Sequence, residues 1–237
     1  MKNTSTHSNF EKSDFSFSKL NIKLLGDSIT HGVGGTGFCQ NGEPIADEFR
    51  RNPDGFCWAK LFKEHLETNY SAKVINNACT GTKIEFIIKN FNLLVSDDDN
   101  LIICTIGTNN RHQYMKDGPK RSREEIGEEF YNNILKLNDL FVNKSKKVIF
   151  IANIPASNQN EQDGADYWRI LHMNDINDIY KQACKKAGFA FISMYDLFLS
   201  YIENNGIELD TLLRDGLHPN DDGYKAMYTI LKNELGF

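Results

Sequence analysis

The sequence predicts an α/β fold built on a five-stranded parallel sheet, and two observations carry that prediction. Five short runs rich in Ile, Val, Leu and Phe recur along the 237 residues, at 22–26, 74–78, 101–106, 148–154 and 189–194. Each run is nearly continuous rather than alternating, the pattern of a strand covered on both faces. Segments with helically spaced apolar residues separate the runs, and strand–helix alternation favours parallel pairing.

Residues 1–19 are polar and without periodicity, and they read as an N-terminal arm. Residues 20–237 read as a single domain, because no repeat, low-complexity tract or linker interrupts them and the length suits one sizeable core. The first expected helix spans 56–70, with Phe56, Ala59, Leu61, Phe62 and Leu66 near helical spacing. Helices over 83–95 and 124–142 follow, the second with Ile126, Phe130, Ile134, Leu137 and Phe141 on one stripe. A helix over 167–187 carries Ile170, Met173, Ile176, Ile179 and Ala183 and stops at Gly188. The last begins at Asn220 or Asp221, both good N-cap types, and runs to about Leu235. Three connections, 31–55, 108–123 and 155–166, are longer than usual and all follow the C-terminal ends of strands. That edge of a parallel sheet is where ligands bind.

Composition excludes several classes. Lys and Arg number 27 against 32 Asp and Glu, a formal charge of -5, so the chain lacks a general attraction to nucleic acid or to anionic membranes. No run of apolar residues is long enough for a membrane span, and the first twenty residues have no apolar core or cleavage pattern of a signal peptide. Five cysteines, Cys39, Cys57, Cys79, Cys104 and Cys184, form no metal-type spacing. Cys79 and Cys104 fall in apolar, strand-like surroundings, as small buried hydrophobes do. A cytoplasmic protein is expected.

Four polar elements carry candidate chemistry. Ser28, in Gly26-Asp27-Ser28-Ile29-Thr30, comes directly after the first strand. It reads either as a nucleophile, which needs a base to remove its proton, or as a turn serine capping the next segment. His218 lies in Asp215-Gly216-Leu217-His218-Pro219-Asn220, where Pro219 keeps it out of a helix. It reads either as that base, with Asp215 orienting its ring, or as an incidental member of a helix-capping turn. Gly81 ends the segment after the second strand, and Asn109 follows the third in Gly107-Thr108-Asn109-Asn110. Each suits an oxyanion donor, Gly81 through its backbone N–H and Asn109 through its side-chain amide, and each also suits an ordinary turn. A parallel sheet can bring all four to a single edge.

In this combination the chain resembles the GDSL esterases, also called SGNH hydrolases. Gly26-Asp27-Ser28-Ile29-Thr30 resembles the family's first block, Gly81 falls where the second block has its glycine, Gly107-Thr108-Asn109-Asn110 resembles the third, and Asp215-Gly216-Leu217-His218-Pro219 the last. The resemblance implies a three-layer α/β/α, flavodoxin-like sandwich with no metal or organic cofactor. It implies a catalytic triad of Ser28, His218 and Asp215, and an oxyanion hole of the Ser28 and Gly81 N–H groups and the Asn109 amide. Ile29 replaces the family's Leu, and Asn110 stands where many members have Asp.

Around these residues the long loops are rich in polar groups, with Tyr114 in one and Tyr167 and Trp168 directly after another, which suits a sugar ring or else ordinary solvated loops. Removal of acetyl groups from a carbohydrate is therefore the expected reaction. An acyltransferase, a lipase- or thioesterase-type hydrolase, and a non-catalytic sugar-binding module are the alternatives. Arg111, Lys116, Lys120, Arg121 and Arg123 form a basic run that is either a solvated face or a site for an anionic substrate. The glycine-rich segment 32–37 is a weak candidate for a phosphate cradle, since no helix start follows it directly.

Overall fold

A computed structural model describes residues 16–40, 44–46, 49–50, 52, 54–113, 121–144, 146–161 and 169–237. The strands of the main sheet are β1 (Asn21–Gly26), β4 (Lys73–Asn76), β5 (Leu101–Thr105), β6 (Lys147–Ala152) and β7 (Ala190–Ser193), all parallel, in the order β4-β1-β5-β6-β7. A two-stranded antiparallel pair, β2 (Pro44–Ala46) and β3 (Phe49–Arg50), lies in the long connection after β1. The helices are α1 (Ser28–His31), α2 (Trp58–Tyr70), α3 (Ile84–Lys89), α4 (Phe91–Leu94), α5 (Arg123–Asn143), α6 (Asn158–Glu161), α7 (Met173–Ala187), α8 (Met194–Asn205) and α9 (Asp221–Leu235).

The continuous apolar strands have a direct explanation in the packing. Along β5, Leu101 and Ile103 face one core while Ile102 and Cys104 face the other. The first core is closed by α2, α8 and α9 through Phe62, Leu66, Phe198, Met227 and Leu231. The second is closed by α3, α4, α5 and α7 through Ile87, Phe91, Phe130, Ile134 and Tyr180. With both faces covered, both sets of alternate residues are mostly apolar, and the buried Lys23 of β1 is met by Asp99 at 3.6 Å. The result is the three-layer sandwich expected, with a flavodoxin-like strand order that reverses between β1 and β5.

Several boundaries differ from expectation. Phe17, inside the expected arm 1–19, is buried and packs edge-on against Phe237, with ring centroids 5.4 Å apart. The segment 83–95 is two short helices, because Asn90 breaks the stripe and returns its side-chain amide to the Phe86 carbonyl. The described part of 167–187 is helical only from Met173, where the Asp175 carboxylate accepts the His172 N–H and fixes the start. The second strand ends at Asn76, whose side-chain oxygen accepts the Ala78 N–H, although the Asn77 and Cys79 N–H groups still donate to the Leu24 and Gly26 carbonyls of β1. Cys79 accordingly sits beyond the strand, buried in the loop. Helix α8 has no counterpart in the expected elements: it begins on the residue after β7, with Ser193 as its cap, so no loop signal separates the two. No helix among the described residues is long and apolar enough to cross a membrane.

Candidate active site

The site lies at the C-terminal edge of the sheet, where β1 and β5 diverge. The strand β1 ends at Gly26, and the chain turns at once into α1. Asp27 caps that helix, its side chain accepting the Ile29 N–H at 3.1 Å. The capping role therefore falls to Asp27, and Ser28 is left as the first helical residue with its hydroxyl uncommitted to the backbone. Ser28 Oγ lies 2.9 Å from His218 Nε2. On the far side of the ring, His218 Nδ1 lies 2.7 Å from Asp215 Oδ2. A carboxylate only accepts, so Nδ1 carries the proton and Nε2 presents a lone pair to the serine hydroxyl.

The histidine loop is held by its own backbone. Arg214 N–H donates to the His218 carbonyl at 2.7 Å, and Asp215 Oδ1 accepts the N–H groups of Leu217 and His218 at 3.1 and 2.8 Å. Asn220, not His218, caps α9 by accepting the Asp222 and Gly223 N–H groups. Burial opposes the charge of Asp215, but those N–H groups and the His218 ring outweigh it and hold the carboxyl below the ordinary aspartate range. The glycine-rich segment after α1 braces this loop and is no phosphate cradle: a Cβ on Gly34 would come within 2.3 Å of the Pro219 carbonyl. Thr36 N–H donates to Asp221, and the Tyr224 hydroxyl donates to the Val33 carbonyl.

Asp27 is fully buried and ties three strand ends together. Its Oδ2 accepts the Thr108 N–H at 3.3 Å and the Asn153 side-chain amide at 3.0 Å, and the same amide donates to Thr108 Oγ1 at 2.7 Å. Burial pushes this carboxyl above its ordinary range, against the pull of its hydrogen-bond donors. Neither the bracing by Asp27 nor Asn153 is evident in the sequence; the one available signal is a polar Asn directly after the apolar run of β6.

Asn109 belongs to a second hydrogen-bonded set at the same edge, which reaches the loop that carries Gly81. Asn109 starts from a tight 3₁₀ turn, Thr108–Arg111, and donates one amide hydrogen to the Thr82 carbonyl at 3.0 Å. Its other amide hydrogen has no partner among the described residues. The departure at Asn110 is balanced locally. Asn110 is buried, accepts the Ile84 N–H at 3.1 Å, and donates to both oxygens of Glu85 at 3.2 and 3.0 Å. An Asp there would face a second carboxylate.

Of the basic run, the described members are Arg111, Arg121 and Arg123. Arg111 is 1% exposed and lies inside the protein, its Nε donating to the Thr108 carbonyl and its Nη1 2.6 Å from Glu161 Oε1. Burial lowers the pKa of its guanidinium, and Glu161 opposes that shift. Arg121 pairs with Glu129 and Arg123 with Asp175. The described cations of the run thus each meet a carboxylate of the chain itself. Lys116, Lys120, Tyr114, Tyr167 and Trp168 lie outside the described residues.

The GDSL-like lipase/acylhydrolase family model matches residues 24–226. No curated protein matches the chain. Among solved structures, an acetylxylan esterase from Geobacillus stearothermophilus superposes with a TM-score of 0.68 at 19% identity, covering 93% of this chain and 95% of that one. An α/β hydrolase enzyme from the metagenome of Lake Arreo, Spain, superposes with a TM-score of 0.69 at 18% identity, covering 92% and 96%. At such identities the likeness concerns the fold.

Proposed function

The chain belongs to the GDSL-like lipase/acylhydrolase family and is a carboxylic ester hydrolase, and on that premise we propose that it removes acetyl groups from a carbohydrate through an acyl-enzyme on Ser28. The observation that carries the mechanism is the chain of two hydrogen bonds, Ser28 Oγ to His218 Nε2 at 2.9 Å and His218 Nδ1 to Asp215 Oδ2 at 2.7 Å.

His218 Nε2 takes the Ser28 proton as Oγ adds to the ester carbonyl. Asp215 stabilises the imidazolium that forms. The negative charge on the former carbonyl oxygen is met by the N–H groups of Ser28 and Gly81 and the free amide hydrogen of Asn109. Collapse breaks the ester C–O bond, and His218 returns its proton to the leaving sugar hydroxyl. Water then adds to the acyl group on Ser28 with His218 again as base, and acetate leaves as Oγ is reprotonated.

Two further points support this reading. Catalytic mutants solved for the Geobacillus acetylxylan esterase replace one serine, one aspartate and one histidine, the last two separated by three positions; Asp215 and His218 have the same separation. For the substrate, the support is the polar and aromatic composition of the segments that follow these strands in sequence, and the acetylxylan esterase activity named for that neighbour.

The test has two arms. Fluorophosphonate should label Ser28 in the folded protein, and Ser28→Ala should remove nearly all hydrolysis of p-nitrophenyl acetate; retention of most activity refutes the triad. Acetate release from acetylated xylo-oligosaccharides should exceed turnover of long-chain esters. A clear preference for acyl chains of about eight carbons or more, which would need a large apolar pocket, refutes the carbohydrate assignment.

A further inference from the structure

Helix α1 is a single turn, with Ser28 at its start and His31 at its end. His31 is 2% exposed, an unusual place for an imidazole that the mechanism does not use. Its ring meets the edge of Phe38, and its backbone carbonyl accepts the Asn52 side-chain amide. Its Nδ1 lies 3.1 Å from the backbone nitrogen of Thr80 and 2.9 Å from Thr80 Oγ1. A backbone N–H always donates, so Nδ1 accepts and carries no proton. The ring is therefore the neutral tautomer with its hydrogen on Nε2.

Thr80 directly precedes Gly81. A Cβ on Gly81 would meet nothing within 4 Å, and its φ of +80° leaves it in a region that other residues rarely adopt. Gly81 itself has no side chain that could fix its peptide. The direction of its N–H is inherited from the neighbouring peptides. Behind it, Cys79 N–H donates to the Gly26 carbonyl and Thr80 N–H to His31. Ahead of it, Thr82 N–H donates to the Cys79 carbonyl, and the Thr82 carbonyl accepts from Asn109. Of the anchors behind Gly81, His31 is the nearer, one peptide away, and it sits on the same helical turn as Ser28.

We infer that His31 is a positioning residue, whose unprotonated Nδ1 locks the Thr80–Gly81 peptide to α1 so that the oxyanion donor and the nucleophile form one rigid unit. The inference rests on the reading of Ser28 as nucleophile and Gly81 as oxyanion donor. The oxyanion exists only after attack, so misaiming the donor costs transition-state binding and leaves ground-state binding nearly intact. The loss therefore falls on kcat. A misplacement of about 1 Å at such a site costs on the order of 10²-fold.

The experiment uses the full chain and compares His31→Leu, His31→Asn and His31→Gln with wild type and Ser28→Ala. Each is assayed on p-nitrophenyl acetate and by thermal melting. The Asn side-chain oxygen takes the place of Nδ1, whereas the Gln amide extends one bond beyond it. Expected is a fall in kcat of about 10–100-fold for His31→Leu, KM within about twofold, and recovery of most of kcat in His31→Asn but not in His31→Gln. Where His31→Leu is not folded at the assay temperature, the Asn and Gln pair carries the same contrast. An inactive Ser28→Ala with His31→Leu or His31→Gln at wild-type kcat overturns the inference and leaves the triad standing. Equal losses in the Asn and Gln variants, in folded protein, overturn it as well. An active Ser28→Ala overturns the triad itself.

Discussion

The ion pair between Arg111 and Glu161 offers the sharpest physical test of how this site is built. The guanidinium is 1% exposed and its partner carboxylate about one-fifth exposed, at 2.6 Å. Glu161 also accepts the Met173 N–H at the start of α7, so one carboxylate joins the turn after β5 to the helix that covers it. Glu161→Gln keeps an acceptor of nearly the same shape and removes only the charge. Breaking a buried pair on one side leaves the other charge uncompensated, at a cost of about 3–5 kcal/mol. Partial exposure of Glu161 and the retained acceptor place this case at the low end, about 3 kcal/mol. For a chain of this size, about 2–4 °C of Tm per kcal/mol converts that to a drop of roughly 6–12 °C. The assay is thermal unfolding at pH 7 by circular dichroism, with reversibility checked. The informative partner is Arg111→Met/Glu161→Gln, which removes the buried charge altogether. It should melt above Glu161→Gln despite carrying one more substitution, because an unpaired buried charge costs more than a lost pair. A Glu161→Gln shift under about 2 °C, or a double variant that loses the sum of both single effects, would refute the reasoning.

Three further outcomes follow from the same geometry. Asn109→Ala should lower kcat by roughly 10²–10³, the range for one oxyanion donor; a loss under about threefold in steady-state assays would mean that its second amide hydrogen serves no reacting atom. Asn110→Asp sets a carboxylate against Glu85 and removes two donors to it, and should cost about 2 kcal/mol or more in denaturant unfolding, much of it recovered by adding Glu85→Gln; unchanged stability at pH 7 would contradict the contact. For Asp215 the sign is set by its depressed carboxyl. A group held lower in the folded state stabilises above its unfolded pKa, about 3.9, and loses that contribution as pH falls through the folded value. Wild type should therefore melt above Asp215→Asn at pH 6, with the gap closing below about pH 3.9; a gap constant down to acid unfolding would count against it.

The layers of this fold were legible because burial on both faces leaves a strand few polar positions, a pattern visible in one dimension. The five runs and the helices before Gly188 and after Asn220 were readable on that ground. Boundaries failed where an Asn side chain bonds to nearby backbone, at Asn76 and Asn90, and where two elements abutted with no breaker, at Ser193 and Met194. Local chemistry at Ser28 and at Asp215–His218 was readable as two alternatives each. The contact between them crosses 190 positions, and no local pattern reports it.

What the sequence by itself determined is therefore the set of parts: a parallel sheet, the residue types at its C-terminal edge, and the family to which they belong. What the tertiary structure decided is which parts meet. It assigned helix capping to Asp27 and Asn220, so that Ser28 and His218 face each other. It turned Arg111 from a surface cation into a buried one. It also joined His31 to Thr80 across the strand edge. The reason is physical: composition and periodicity record how much of each segment is buried, whereas a hydrogen bond depends on positions within a few tenths of an ångström that only the packed chain defines.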